Sequence, residues 1–450
     1  FYCFGCHKGG SVFTFLMEIE HVSFVEAAKK LAEKAGVSLD VPWEKEETGE
    51  EQALAELYER SAKMFRYFFT STEAGEPARE YARDRGVSKE TEELFGLGYS
   101  PQDRRWLYRF LRNKNYSPDF LAKSGLFSRR YPEVSLFAGR LIFTIRMSNG
   151  KTVAFGGRSI DGGEPKYLNS PETELYRKRS ILFGLFEAAS AIRKSREVLV
   201  VEGYFDVIAF HEAGIPRAVA PLGTSMTEEQ GRVLRRYADR AVLVFDYDRA
   251  GKEAAVRAIE VCEQAGMESV VAVPESGKDP SDILQNEGSE SLHNMLKYTI
   301  NNFEYLIDSA VTRFGADSPE AKSRVVSATS GYLKSVRSEV RGQEYSRRLA
   351  TALDITPDAV QKDIDAQANR EVTRSRGQEA DQREKEGIGT DLFLMLATAA
   401  HSEHFEYLRR ELNIADLEDE RAKELFIALE EAYRNDEKDV ESVAARVDSE

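Results

Sequence analysis

Three short runs of this chain place carboxylates directly after strand-like text. In Val198-Leu-Val-Val-Glu202-Gly203-Tyr-Phe-Asp206 an apolar strand delivers Glu202 at its carboxyl end, Gly203 permits a tight turn, and Asp206 follows within the next turn. Ala241-Val-Leu-Val-Phe-Asp246-Tyr-Asp248 repeats the arrangement, and small residues up to Gly251 then open a helix. Lys278-Asp279-Pro280-Ser281-Asp282 follows a strand that ends at Val273. Carboxylates gathered at one sheet edge repel one another unless cations lie between them. Oxygen-only ligands without His select hard ions, Mg²⁺ or Mn²⁺, which keep waters and bridge to phosphates. The chemistry implied is in-line displacement at phosphorus, with Glu202, Asp206, Asp246, Asp248 and Asp279 as candidate ligands or catalytic carboxylates. Taken singly, each of these aspartates reads as well as a helix cap.

The elements that would position them form a regular pattern from Glu197 to Val273. Strand-like runs Val198 to Val201, Ala218 to Ala220, Ala241 to Phe245 and Ser269 to Val273 alternate with helix-like stretches, the signature of βαβ units and a largely parallel sheet. In such sheets ligands gather outside the carboxyl ends of the strands. Upstream, residues 1–40 hold a cysteine hairpin and a helix from Ser23 to Ala35, and residues 41–52 are an acidic, polar linker. Residues 53–196 open with helical text (Glu51 to Phe69) and continue as short helices and strands, among them Leu141 to Ile145 and Thr152 to Phe155. The sheet region occupies residues 197–288. Residues 289–370 read as helical throughout, with Ser318-Pro319 and Thr356-Pro357 as helix starts. Residues 371–389 are charged and nearly free of large apolar side chains, a linker, and residues 390–450 are helical again.

Charge is distributed unevenly. The chain carries −15 over 450 residues, yet Pro101 to Leu185 holds 16 Lys or Arg against 7 Asp or Glu. A basic middle in an acidic chain suggests one polyanion-binding face. Arg140, Arg146, Arg158, Lys166 and Lys178 are its candidate phosphate contacts. Tyr167 is placed either to stack on a base or to pack in the core. Cys3-Phe-Gly-Cys6 supplies half of a four-ligand zinc site, or else a redox pair. Cys262, within helical text from Ala254 to Ala265, reads as a buried, inert thiol. No apolar run approaches the roughly 18–20 residues of a membrane span, and nothing points to export, so a cytoplasmic location is expected. The text opens at Phe1 in mid-motif, as expected of a piece of a longer chain.

A glutamate after one strand and Asp-x-Asp after a later one resemble the Toprim signature of primases, topoisomerases and some nucleases. Phe155-Gly-Gly-Arg158, Pro165-Lys-Tyr-Leu-Asn-Ser-Pro-Glu-Thr173, Leu182-Phe-Gly-Leu185, Glu202-Gly-Tyr-Phe-Asp206 and Leu222-Gly-Thr224 are similar to the motifs of bacterial DNA primases, in the same order. The resemblance spans Phe1 to Asp282. It implies an α/β fold: a Toprim-type parallel-sheet catalytic core, a mixed α/β N-terminal subdomain and a C-terminal helical bundle. By that likeness Glu202, Asp246 and Asp248 are the principal carboxylates, with Asp206 and Asp279 in support. Lys166, Asn169 and Lys178 fall in the nucleotide-binding region. Cys3 and Cys6 belong to a zinc ribbon whose other Cys and His stand earlier in that family. Two departures are Tyr247, where the family usually has Gly, and Ser281, where it often has Asp. The implied activity is synthesis of short RNA primers on single-stranded DNA from nucleoside triphosphates. The implied partner is the replicative helicase, met through a domain that begins near residue 390. A Toprim nuclease or topoisomerase is the rival enzyme, and a non-catalytic Toprim scaffold the rival of another class. No tyrosine nucleophile stands in a recognisable setting, and intact Glu202, Asp246 and Asp248 speak against the scaffold.

Overall fold

Val198, Leu199 and Val200 are buried on both faces, as expected of a strand in the middle of a covered parallel sheet. The computed structural model describes residues 1–2, 9–20, 24–35, 49–223, 225–246, 248–274, 279–365, 390–417, 419–435, 440–444 and 446. It contains two compact units, Phe1–Val360 and Gln361–Glu450.

Among the described residues the first unit holds two sheets. The smaller is antiparallel, in the order β1 (Gly98–Ser100), β2 (Arg140–Arg146), β3 (Thr152–Ser159) and β4 (Tyr167–Asn169). The larger comprises β5 (Leu182–Phe183), β6 (Glu197–Val200), β7 (Ala218–Pro221), β8 (Arg240–Leu243), β9 (Glu268–Ala272) and β10 (Thr299–Asn301), in the order β10-β9-β8-β6-β7-β5. Its four inner strands are parallel, with Val200 level with Val219 on one side and Leu243 on the other. Both edge strands run antiparallel. Each of the four strands expected in this sheet is present, with no end displaced by more than two residues.

Two expectations need correction. Residues 289–370 are not helical throughout, because β10 pairs with β9 between the helices Ser289–Met295 and Asn302–Phe314. Three residues carry too little periodicity to announce a strand. In addition, β3 runs on past Phe155 to Ser159, which places Arg158 on a strand.

One hydrophobic core joins the two sheets. Phe143 on β2 stacks on Tyr204 at 4.5 Å between ring centroids, and Tyr204 also meets Phe183 on β5 edge-on at 4.6 Å. Tyr204 and Phe205 open the helix Tyr204–Glu212, so this aromatic cluster locks the start of that helix against the smaller sheet. Cys262 is buried and unpaired within the helix Arg249–Gln264; burial and nearby Glu263 push its thiol up to about 12, so it stays protonated and unreactive. The second unit packs helices Thr390–Ala400 and Glu420–Arg434 through Met395, Ala399, Ala422, Ala428 and Leu429. Among the described residues no helix is long and apolar enough to cross a membrane.

Candidate active site

The parallel strands all end on one side, and the chain there turns around a cavity of about 460 Å³. Glu202, Gly203 and Asp206 enter it from beyond β6, Leu222 and Gly223 from beyond β7, Asp246 from beyond β8, and Asp279 with Asp282 from the segment after β9. Backbone amides hold three of these acids. Glu202 Oε1 accepts a hydrogen bond from the Asp246 amide at 2.7 Å, tying the two strand ends together. Asp206 Oδ2 accepts from the Gly203 amide at 2.9 Å. Asp279 Oδ1 accepts from the Asp282 amide at 2.6 Å and caps the helix Pro280–Glu287. Gly251 makes the first of these joints possible: a Cβ there would lie 2.2 Å from the Asp246 carbonyl oxygen and 2.7 Å from Glu202 Oε1.

Burial, and then crowding of like charge, leave their mark on the acids. Burial, followed by the charges of Asp279 and Asp246, raises the Asp206 carboxyl well above the usual range. Burial likewise raises Glu202, with Asp246, Asp248 and Asp279 adding to it. Asp246 is raised by burial and by Asp279, Asp248 and Asp282, while Lys166 acts in the opposite sense. Such a set gains from positive charge placed among its members. The donors are all oxygen, which fits a hard divalent ion. Among the described residues no three acids converge into a closed cage, so an ion held here would need ligands from water or phosphate as well.

Asp248, expected as a principal carboxylate, caps the helix Arg249–Gln264 by accepting from the Gly251 amide at 2.7 Å, and it does not line the cavity. Its charge still reaches Glu202 and Asp246. Capping and proximity to the site therefore coexist in this residue, as they do in Asp279.

The opposite wall comes from the smaller sheet. Lys166, Tyr167 and Asn169 line the cavity, together with Arg158. The Arg158 guanidinium stacks 4.6 Å from the centroid of the Tyr167 ring, and its buried Nε has no hydrogen-bond partner among the described residues. Asn169 is oriented at both ends: its Oδ1 accepts from Tyr204 Oη at 2.6 Å, and its Nδ2 donates to the Leu222 carbonyl at 3.1 Å. A Cβ at Gly156 would lie 2.4 Å from Tyr204 Oη, so only glycine admits this contact.

Other expected contacts go elsewhere. Arg140 is buried and donates to the carbonyls of Pro165 at 2.8 Å and Gly157 at 3.4 Å. Arg146 donates to the Leu94 carbonyl at 2.8 Å and to Glu187, whose side chain is 3% exposed, at 2.7 Å. Both arginines, expected to serve a template, have partners inside the fold. Lys178 is also outside the cavity lining, and its amide donates to Glu172. Cys3 and Cys6 lie outside the described residues. Sequence reasoning missed Arg85, which lines the cavity, pairs with Asp282 at 3.6 Å and lies 5.6 Å from the Phe205 ring centroid. Only the tertiary fold brings it there, and no local pattern announces it.

Comparison with known proteins gives four family matches in chain order. Residues 1–47 match the CHC2 zinc finger, 65–189 the N-terminal domain of the DNA primase catalytic core, 199–284 a Toprim-like domain, and 303–358 the DnaB-helicase binding domain of primase. The DNA primase of Treponema pallidum is 36% identical over 97% of this chain and 74% of its own length. That of Borreliella burgdorferi is 32% identical over 97% of this chain and 84% of its own. A solved DnaG primase catalytic domain bound to single-stranded DNA superposes with a TM-score of 0.61 at 28% identity, covering 69% of this chain and 99% of that one.

Proposed function

This chain belongs to the bacterial DNA primase family, and we propose that the acidic cavity is where it joins ribonucleotides into primers. It is a nucleotidyltransferase that makes short RNA primers on single-stranded DNA. The reading of the cavity is supported above all by one juxtaposition: carboxylates from beyond three parallel strands face Lys166 across a single space.

In each addition the 3′-hydroxyl oxygen of the growing strand attacks the α-phosphorus of the incoming triphosphate. The bond from that phosphorus to the bridging oxygen breaks, pyrophosphate leaves, and the hydroxyl proton passes to water. Mg²⁺ or Mn²⁺ bound here would supply positive charge to the attacking and leaving oxygens. Glu202 and Asp246 are its proposed ligands, with Asp206 and Asp279 beside them and Asp248 adding negative charge from its helix cap. Lys166 meets the triphosphate as a point charge. Arg158 and Tyr167 present a stacked platform to a base or sugar, and Asn169, held by Tyr204 and Leu222, offers a fixed amide.

Zinc belongs to the N-terminal ribbon, and we assign Cys3 and Cys6 to half of its ligand set. We propose that the template reaches the cavity along the basic stretch, where Arg140 and Arg146 are engaged with partners inside the fold. We keep the subdomain limits expected from the sequence as a proposal, with one refinement. The helicase-binding match lies at residues 303–358, so contact with the helicase is assigned to the helical region as a whole and not to residues 390–450 alone. The setting proposed is the cytoplasm.

The test is primer synthesis from ribonucleotides on a single-stranded template by Asp246→Asn. Synthesis should fall by on the order of 10²-fold or more, with the circular dichroism spectrum unchanged. Activity within about twofold of the unmodified chain at saturating Mg²⁺ would remove the cavity from the chemistry.

A further inference from the structure

A second concavity, of about 710 Å³, shares no lining residue with the acidic one and lies between the helix Arg249–Gln264 and the helices Asn302–Phe314 and Pro319–Ser335. Its floor is apolar and low. Leu306 and Ala310 are buried at the base, Phe314 is half-buried beside them, and small side chains such as Ala328 leave space above. Its rim is basic: Arg249, Lys252, Arg257 and Arg313 stand against one lining acid, Glu253. Glu253 lies 3.2 Å from Arg249 and 3.9 Å from Arg313, so a single carboxylate is shared between two guanidinium groups. Glu260, which does not line the groove, is within electrostatic reach of Arg257. The local balance is thus positive in a chain of net charge −15.

An apolar floor between basic rims selects by two criteria together. A nucleic-acid strand would satisfy the cations, but it would lay phosphates over a floor that offers one aromatic ring. A peptide with large apolar anchors fills the floor, and acidic residues beside those anchors meet the rim. We propose that this groove docks an acidic peptide segment carrying large apolar side chains, contributed by a partner protein. The site is separate from the carboxylate cavity. Leu306, Ala310 and Phe314 fall within the residues matched to helicase binding, whereas Arg249, Lys252 and Arg257 on the other wall lie outside them.

The experiment is selection of a randomised 12-residue peptide library on the whole chain and, in parallel, on Arg257→Glu/Arg313→Glu. Both arginines are exposed, so the double variant should fold and should make primers normally. Peptides combining Asp or Glu with Leu, Phe, Ile or Trp should be enriched on the unmodified chain only. A labelled peptide so selected should lose at least tenfold in affinity on the double variant and a similar factor on Ala310→Trp, which fills the floor. Enrichment of neutral or basic peptides, or equal enrichment on both chains, would overturn the proposal. So would displacement of the selected peptide by a 12-nucleotide oligothymidylate at comparable concentration, which would make the groove a nucleic-acid track.

Discussion

Replacing Gly251 with Ala removes no charge and no hydrogen-bonding group, yet it should disable the active site. The added methyl would lie 2.2 Å from the Asp246 carbonyl oxygen, where ordinary contact begins near 3.4 Å. The helix start or the Asp246 turn must therefore retreat by about 1.2 Å, the difference between those two distances. Glu202 Oε1, at 2.7 Å from the same methyl, would be pushed in step, and its bond from the Asp246 amide would stretch. Two stability effects oppose each other. Overpacking costs about 1–3 kcal/mol, whereas Ala in place of Gly within a helix returns about 1 kcal/mol. The net loss of stability is roughly 0–2 kcal/mol, a shift of a few degrees in Tm. Displacement of reacting groups by about 1 Å costs on the order of 10²-fold in rate. Primer synthesis by Gly251→Ala should thus fall far more than its Tm. Gly331→Ala is the control: it sits in the helix Pro319–Ser335 with its nearest neighbour 3.5 Å away, and it should leave synthesis unchanged. Gly251→Ala retaining synthesis within about threefold would refute the claim that this glycine sets the Glu202–Asp246 joint.

Three further outcomes are expected. Arg146→Ala should destabilise the fold by about 3 kcal/mol, because buried Glu187 loses its partner, a cost limited by uptake of a proton on Glu187; single-stranded DNA binding should keep its salt dependence, and a flattened slope in a salt titration would return Arg146 to the template. Tyr204→Phe keeps the stack on Phe143 but removes one of the two hydrogen bonds that orient Asn169, so KM for ribonucleotides should rise several-fold while kcat changes little; an unchanged KM would take Asn169 out of nucleotide binding. The folded chain holds protons on Asp206, Glu202 and Asp246 above the pH at which the unfolded chain releases them. In chelator, stability should therefore fall as pH rises from the usual carboxylate range through the raised values, and Asp206→Asn should make the fall shallower. Urea midpoints measured between pH 4 and 8 would show this, and equal steepness in both chains would contradict it.

Much of the site was legible because the strands are short, apolar and regularly spaced. The runs before Glu202 and Asp246 could be little else than buried parallel strands, and the sheet rule then gathers their carboxyl ends. Side-chain destinations were less legible. Arg140, Arg146 and Arg158 are alike in sequence setting, yet two of them satisfy internal carbonyls or a buried acid while the third faces the cavity. Strand alternation alone does not separate them, because both faces of β2 and β3 are almost wholly buried. Asp279 both caps a helix and lines the cavity, so those two readings are not exclusive, whereas Asp248 caps a helix without lining it. Arg85 comes from the turn after the helix Glu76–Asp84, and contacts distant in sequence, with Phe205 and Asp282, place it at the cavity.

A structure of the chain soaked with Mn²⁺ and a ribonucleoside triphosphate tests the central assignment most directly. Anomalous scattering from manganese should peak within ligand distance, about 2.2 Å, of Glu202 or Asp246, with the triphosphate turned toward Lys166. A manganese peak outside this cavity, or a triphosphate seated away from Lys166 with Glu202 and Asp246 untouched, would contradict the assignment of nucleotidyl transfer to these residues.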